Sequence, residues 1–207
     1  MKRVRFPEDQ ASLCEWLKRK KKRGEEPSKV WKEWWTLNKA IKRSGVEKLL
    51  PQPFVAEHAD TYGNGADFEI TFADRTVLAL EITEATTTED RKEIVRNRRA
   101  TEVMPLGSHG GRFAGGAQGD AYELRMASDI NDAVARKSNK RYGSNSALLI
   151  YPNSNAWPAD MDALAGYLRP LAEDSPFLFA LVVRERSLIA ITKDVVSLIS
   201  QSVPALN

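Results

Sequence analysis

Ala66-Asp67-Phe68-Glu69-Ile70-Thr71-Phe72, Ala73-Asp74-Arg75 and Thr76-Val77-Leu78-Ala79-Leu80-Glu81-Ile82-Thr83 follow one another without a break and read as a β-hairpin. Alternation along the two arms puts Phe68, Ile70, Phe72, Leu78, Leu80 and Ile82 on one face, as a strand that covers a core requires. With Asp74 central in a three-residue turn, Asp67 falls opposite Glu81, and Glu69 and Thr83 share their face. Facing Cβ atoms on adjacent strands are about 5 Å apart. Two carboxylates at that spacing repel unless a cation or a shared proton compensates. A hard divalent ion held by Asp67 and Glu81, with Glu69 nearby, is the first expectation.

Outward from the hairpin, the chain alternates helical and extended patterns. A helix starts near Pro7-Glu8-Asp9 and breaks at Gly24, and a second runs from Ser28 to Gly45. Val30, Trp31, Trp34, Trp35, Asn38 and Ile41 share one side of that second helix. Such tryptophans either stack on bases or pack against the rest of the protein, and their close spacing favours packing. Pro51-Gln52-Pro53 separates the helices from Phe54 to His58, a short element of undecided type. Beyond the hairpin, residues 88–102 read as a charged helix with its acids first, as the helix dipole prefers. The glycine-rich residues 105–119 read as a loop that lacks a phosphate-binding signature. A helix from Tyr122 to Tyr142 closes at Gly143, and Ala147-Leu148-Leu149-Ile150-Tyr151 suits a strand covered on both faces. A helix from Met161 to Ala172 and strands at Phe177–Val183 and Ser187–Ile191 complete the pattern. The expected organisation is an α/β core over residues 51–207 with a basic helical extension over residues 1–50.

In a chain of 207 residues the net charge is only +3, but its distribution is uneven. Lys18-Arg19-Lys20-Lys21-Lys22-Arg23 is an unbroken basic run, with Lys29, Lys32, Lys39, Lys42 and Arg43 soon after. A run of this kind either attracts polyanions such as nucleic acid or forms a solvated helix end. The single cysteine, Cys14, excludes an internal disulfide framework and cysteine-based zinc sites, and fits a reducing, cytoplasmic setting. The longest apolar stretch, Phe177 to Val183, is too short to span a bilayer, so no membrane association is expected.

The paired acids on a hairpin, the long helix and the buried strand after it resemble the PD-(D/E)xK nuclease superfamily, over roughly Phe54 to Tyr151. The resemblance implies a restriction-endonuclease-like fold, a central mixed sheet flanked by helices. It also implies a magnesium- or manganese-dependent endonuclease acting on nucleic acid, DNA rather than RNA. Asp67 matches the first acid of the motif and Glu81 the second. Ala66 stands where the motif has proline, and Thr83 where it has lysine. In the family that lysine orients the attacking water and stabilises negative charge, which a neutral hydroxyl does poorly. Lys137, beside Ile130, Ala133 and Val134 on the buried-looking side of its helix, is the candidate to replace it, with Lys140 behind. Glu57 loosely matches a further acid found in some members. The alternative reading is a nuclease-like fold that binds nucleic acid or a protein partner without cutting. A homodimer is left open in either case.

Overall fold

The computed structural model describes residues 2–21, 28–59, 65–85, 121–140, 143–152, 160–184, 187–193 and 195–200. The expected charged helix at 88–102 and the glycine-rich loop at 105–119 lie outside them. Among the described residues, eight strands form one mixed sheet whose spatial order is their chain order. They are β1 (Arg3–Phe6), β2 (Phe54–His58), β3 (Phe68–Phe72), β4 (Val77–Ala85), β5 (Ser146–Pro152), β6 (Phe179–Val183), β7 (Ser187–Thr192) and β8 (Val195–Ser200). Neighbours are antiparallel except at β4–β5 and β5–β6, which are parallel. Parallel neighbours need a crossover. The helix α3 (Ala121–Ser138) lies in the first crossover, and α4 (Met161–Tyr167) and α5 (Pro170–Asp174) lie in the second. The helices α1 (Gln10–Lys21) and α2 (Lys29–Ile41) lie between β1 and β2.

Alternation along the strands builds two cores, one on each face of the sheet. On the first face, Leu13 and Leu17 of α1 and Trp34, Leu37 and Ala40 of α2 pack on Phe6, Phe54, Phe68, Ile70, Leu78 and Leu80. On the second, Met126, Ile130, Ala133 and Val134 of α3 join Leu164 and Leu168 over Leu148, Ile150, Val182 and Ile189. Strand β5 supplies both cores, which explains its unbroken apolar run. On the second face of β1 to β3, Arg3, Arg5, Glu57 and Glu69 are exposed. The architecture is thus an α/β fold with a mixed sheet flanked by helices, as expected from the sequence.

The hairpin has the expected register, pairing Phe68 with Leu80, Ile70 with Leu78 and Thr71 with Val77. Its loop closes through Phe72 N–H to Thr76 O (2.9 Å) and Arg75 N–H to Phe72 O (3.0 Å). Arg75 takes the left-handed conformation (φ 70°) that ends three-residue hairpin loops. Asp74 Oδ1 accepts from both the N–H (2.9 Å) and the hydroxyl (2.6 Å) of Thr76, and these bonds hold its carboxyl below the usual carboxylate range.

Three elements differ from the sequence reading. The first fifty residues, expected as an extension, are built into the core: β1 pairs with β2, and α1 and α2 supply much of the first apolar cluster. The helix expected from Met161 to Ala172 is two helices, because Pro170 lacks the N–H needed to continue a helix and instead starts α5. Strand β8 follows β7 where no element was expected.

Candidate acid and lysine site

The site lies where β3 begins and β4 runs on past it. The last paired residues are Phe68 and Leu80, and β4 continues to Ala85. Asp67 stands one residue before β3, opposite Glu81 in register, and both are buried. Asp67 Oδ2 accepts the Ile82 N–H (2.9 Å), which replaces the ladder bond that β3 no longer supplies. Asp67 Oδ1 accepts from Lys29 Nζ (3.0 Å) at the start of α2. Glu81 is held from the other side of the sheet. Its Oε1 accepts from Lys137 Nζ of α3, and Lys140 Nζ is 4.0 Å away. Thr83, two residues along β4, is also buried.

Lys137 therefore lies on the face of α3 that covers the sheet and contacts Glu81, two residues before Thr83. Asp67 and Glu81 flank the last ladder pair, Phe68 and Leu80, and their ammonium partners come from α2 and α3 respectively. Glu69 is exposed opposite Glu57, and among the described residues it takes no part in these buried contacts. Of the basic run, Lys18 and Arg19 are exposed on α1, with Lys18 paired to Glu15 (2.9 Å). Lys20 and Lys21 close that helix, and Lys22 and Arg23 lie outside the described residues.

Three participants escaped the sequence reading: Lys29, Glu33 and His58. Lys29 Nζ bridges Asp67 Oδ1 (3.0 Å) and Glu33 Oε1 (3.1 Å), and Glu33 Oε2 lies 2.6 Å from His58 Nε2. The His58 ring meets Phe68 edge-on at 5.0 Å. Burial pushes the Glu33 carboxyl above its ordinary pKa, and the Asp67 charge adds to this, against the contacts with His58 and Lys29 that pull it down. Partial burial draws Lys29 down, but its bonds to Asp67 and Glu33 outweigh this and hold its pKa above the usual lysine value. A signal for Glu33 was present: it lies three residues after Val30 and four before Leu37, inside the apolar side of α2.

Among the described residues, two buried oxygens, Glu33 Oε1 and Glu81 Oε2, have no hydrogen-bond partner within ordinary geometry. Among the described residues no group of three or more histidine, cysteine or acidic side chains gathers into a metal cage. Magnesium does not need one, since it is commonly held by one or two carboxylates, waters and substrate phosphate. Asp67 and Glu81, whose Oε2 is orphaned, are the two buried carboxylates that would hold such an ion. The side chain of Lys29 is 80% exposed, so it can turn away from Asp67 without being left in an apolar setting.

Comparison with protein-family models, curated proteins and solved structures gives no match. Among the described residues no helix is long and apolar enough to cross a membrane.

Proposed function

We propose that this chain is a metal-dependent endonuclease that hydrolyses phosphodiester bonds, in DNA rather than RNA, and that it works in the cytoplasm as a member of the PD-(D/E)xK superfamily it resembles. The observation that carries this reading is the contact of Lys137 with Glu81. It gives the Glu-x-Thr segment the positive charge that the motif's third residue lacks.

In this reading Asp67 and Glu81 hold magnesium or manganese, with Lys29 turned outward from Asp67. When bound, such an ion would supply positive charge toward phosphate oxygens and lower the pKa of a water molecule. Glu81 would be the base placed to orient a water and accept a proton from it. Lys137, fixed by Glu81, would stabilise the negative charge that develops on the phosphoryl oxygens and could donate a proton to the leaving oxygen. Thr83 offers only a hydroxyl hydrogen bond. Lys29, released, is free to bind a neighbouring phosphate.

The second reading, a fold that binds nucleic acid without cutting it, draws on the same lysines. Both carboxylates already carry an ammonium, so their charge is balanced without an ion. Cleavage of linear and plasmid DNA separates the two. The wild type is expected to cut with magnesium or manganese and to stop on chelation, and Asp67→Ala and Glu81→Ala are each expected to lose roughly 100-fold or more in rate. Undiminished cleavage in both variants contradicts the site. Tight binding without any cleavage by the wild type favours the second reading.

A further inference from the structure

The three tryptophans of α2 do different work. Trp34 is fully buried against Phe68, whereas Trp31 and Trp35 remain half-buried at the rim of the same core. Their rings form a nearly parallel pair, with centroids 6.2 Å apart and planes inclined by 17°. Tyr151, near the end of β5, meets Trp35 edge-on at 5.3 Å. Lys39 Nζ stands 5.0 Å from the centre of the Trp35 ring. Residues 31, 35 and 39 follow one another at single-turn intervals, and the exposed Lys32 adjoins them. The only acid in α2, Glu33, is buried on another side of the helix with His58. This side of α2 thus carries two indoles only partly covered by the core, beside the ammonium groups of Lys32 and Lys39.

We propose that this side of α2 binds single-stranded nucleic acid, with an unpaired base extending the Trp31–Trp35 stack while Lys32 and Lys39 contact flanking phosphates. Every base has a π face, but in a duplex those faces are covered by neighbouring pairs, so a stacking platform selects unpaired strands. The charge pattern completes the match, because the lysines attract the polyanion. The proposal refines the nucleic-acid reading above but does not depend on cleavage.

The test is equilibrium binding of the full chain, in chelator, to a labelled oligothymidylate of about 12 nucleotides, within the range of single-strand site sizes. Tryptophan emission is followed together with anisotropy. Saturable quenching is expected, and Trp31→Leu or Trp35→Leu is expected to weaken binding about tenfold. Both tryptophans contribute to packing, so the exposed position supplies a second variant. Lys32→Glu combined with Lys39→Glu is expected to weaken binding at low salt and to flatten the double-logarithmic salt slope by about 1.4. Binding without quenching, or binding indifferent to all these substitutions, overturns the proposal. A duplex of equal length that binds as tightly and quenches as strongly also overturns it. Absence of metal-dependent cleavage alongside this binding counts against the endonuclease alone, and cleavage without this binding counts against the platform alone.

Discussion

Replacing Lys137 by methionine is expected to abolish metal-dependent cleavage and to lower the unfolding free energy by about 3 kcal/mol, the scale for breaking a buried ion pair by removing one partner. Glu81 is 4% exposed and Lys137 18%. The two halves of the pair are therefore unequal. Without Lys137 the Glu81 carboxylate is left in the interior with Lys140 4.0 Å from one oxygen and, among the described residues, no hydrogen-bond partner on the other. Without the carboxylate, Lys137 can extend to water along its own aliphatic stem. Glu81→Gln should accordingly cost less stability than Lys137→Met, and the double variant should recover most of the loss, since a neutral pair has no charge to desolvate. Urea unfolding of the three variants measures this directly. Equal losses in the two single variants would show that the pair is already solvated.

Trp34→Ala is expected to cost about 3–5 kcal/mol, as deletion of a large buried aromatic does. Trp34 is completely buried, packs edge-on against Phe68 at 4.7 Å and lies beside the His58 ring at 6.5 Å. A domain of this size is stable by roughly 5–15 kcal/mol, so the variant should be marginal at room temperature. The loss reaches the site as well, because Trp34 anchors the helix that carries Lys29 and Glu33. Thermal unfolding followed by circular dichroism gives the cost. A midpoint within a few degrees of wild type would mean that α2 is not held by this contact.

The hairpin was legible because its register follows from a turn length and a period of two, and both carboxylates lay within it. Lys137 was legible only in part: an ammonium beside Ile130, Ala133 and Val134 either meets an acid or extends to water, and the packing of α3 on β4 is what brings it to Glu81. What Asp67 does with its side chain was not legible, since Asp67 sits one residue outside β3, where strand alternation no longer governs direction. Its oxygens serve the open edge of β4 and reach Lys29 instead. Glu33 was hidden for a related reason: one charged residue in a helix reads as surface, and only the placement of β2 brings His58 to it. Strand β1 contains just four residues, yet Arg3-Val4-Arg5-Phe6 alternates cleanly, and its pairing with β2 draws the N-terminal fifty residues into the core. The helical pattern after Met161 concealed the break at Pro170, where an apolar period continued across a residue that cannot extend a helix.

In the proposed function Asp67 and Glu81 share a divalent cation, whereas in this structure the ammonium groups of Lys29 and Lys137 balance them. A crystal structure with manganese, located by its anomalous scattering, tests this most directly. One ion touching Asp67 and Glu81, with Lys29 turned away from Asp67 and Lys137 still beside Glu81, is the predicted result. An empty site under saturating manganese, with Lys29 still bridging Asp67 and Glu33, would contradict it.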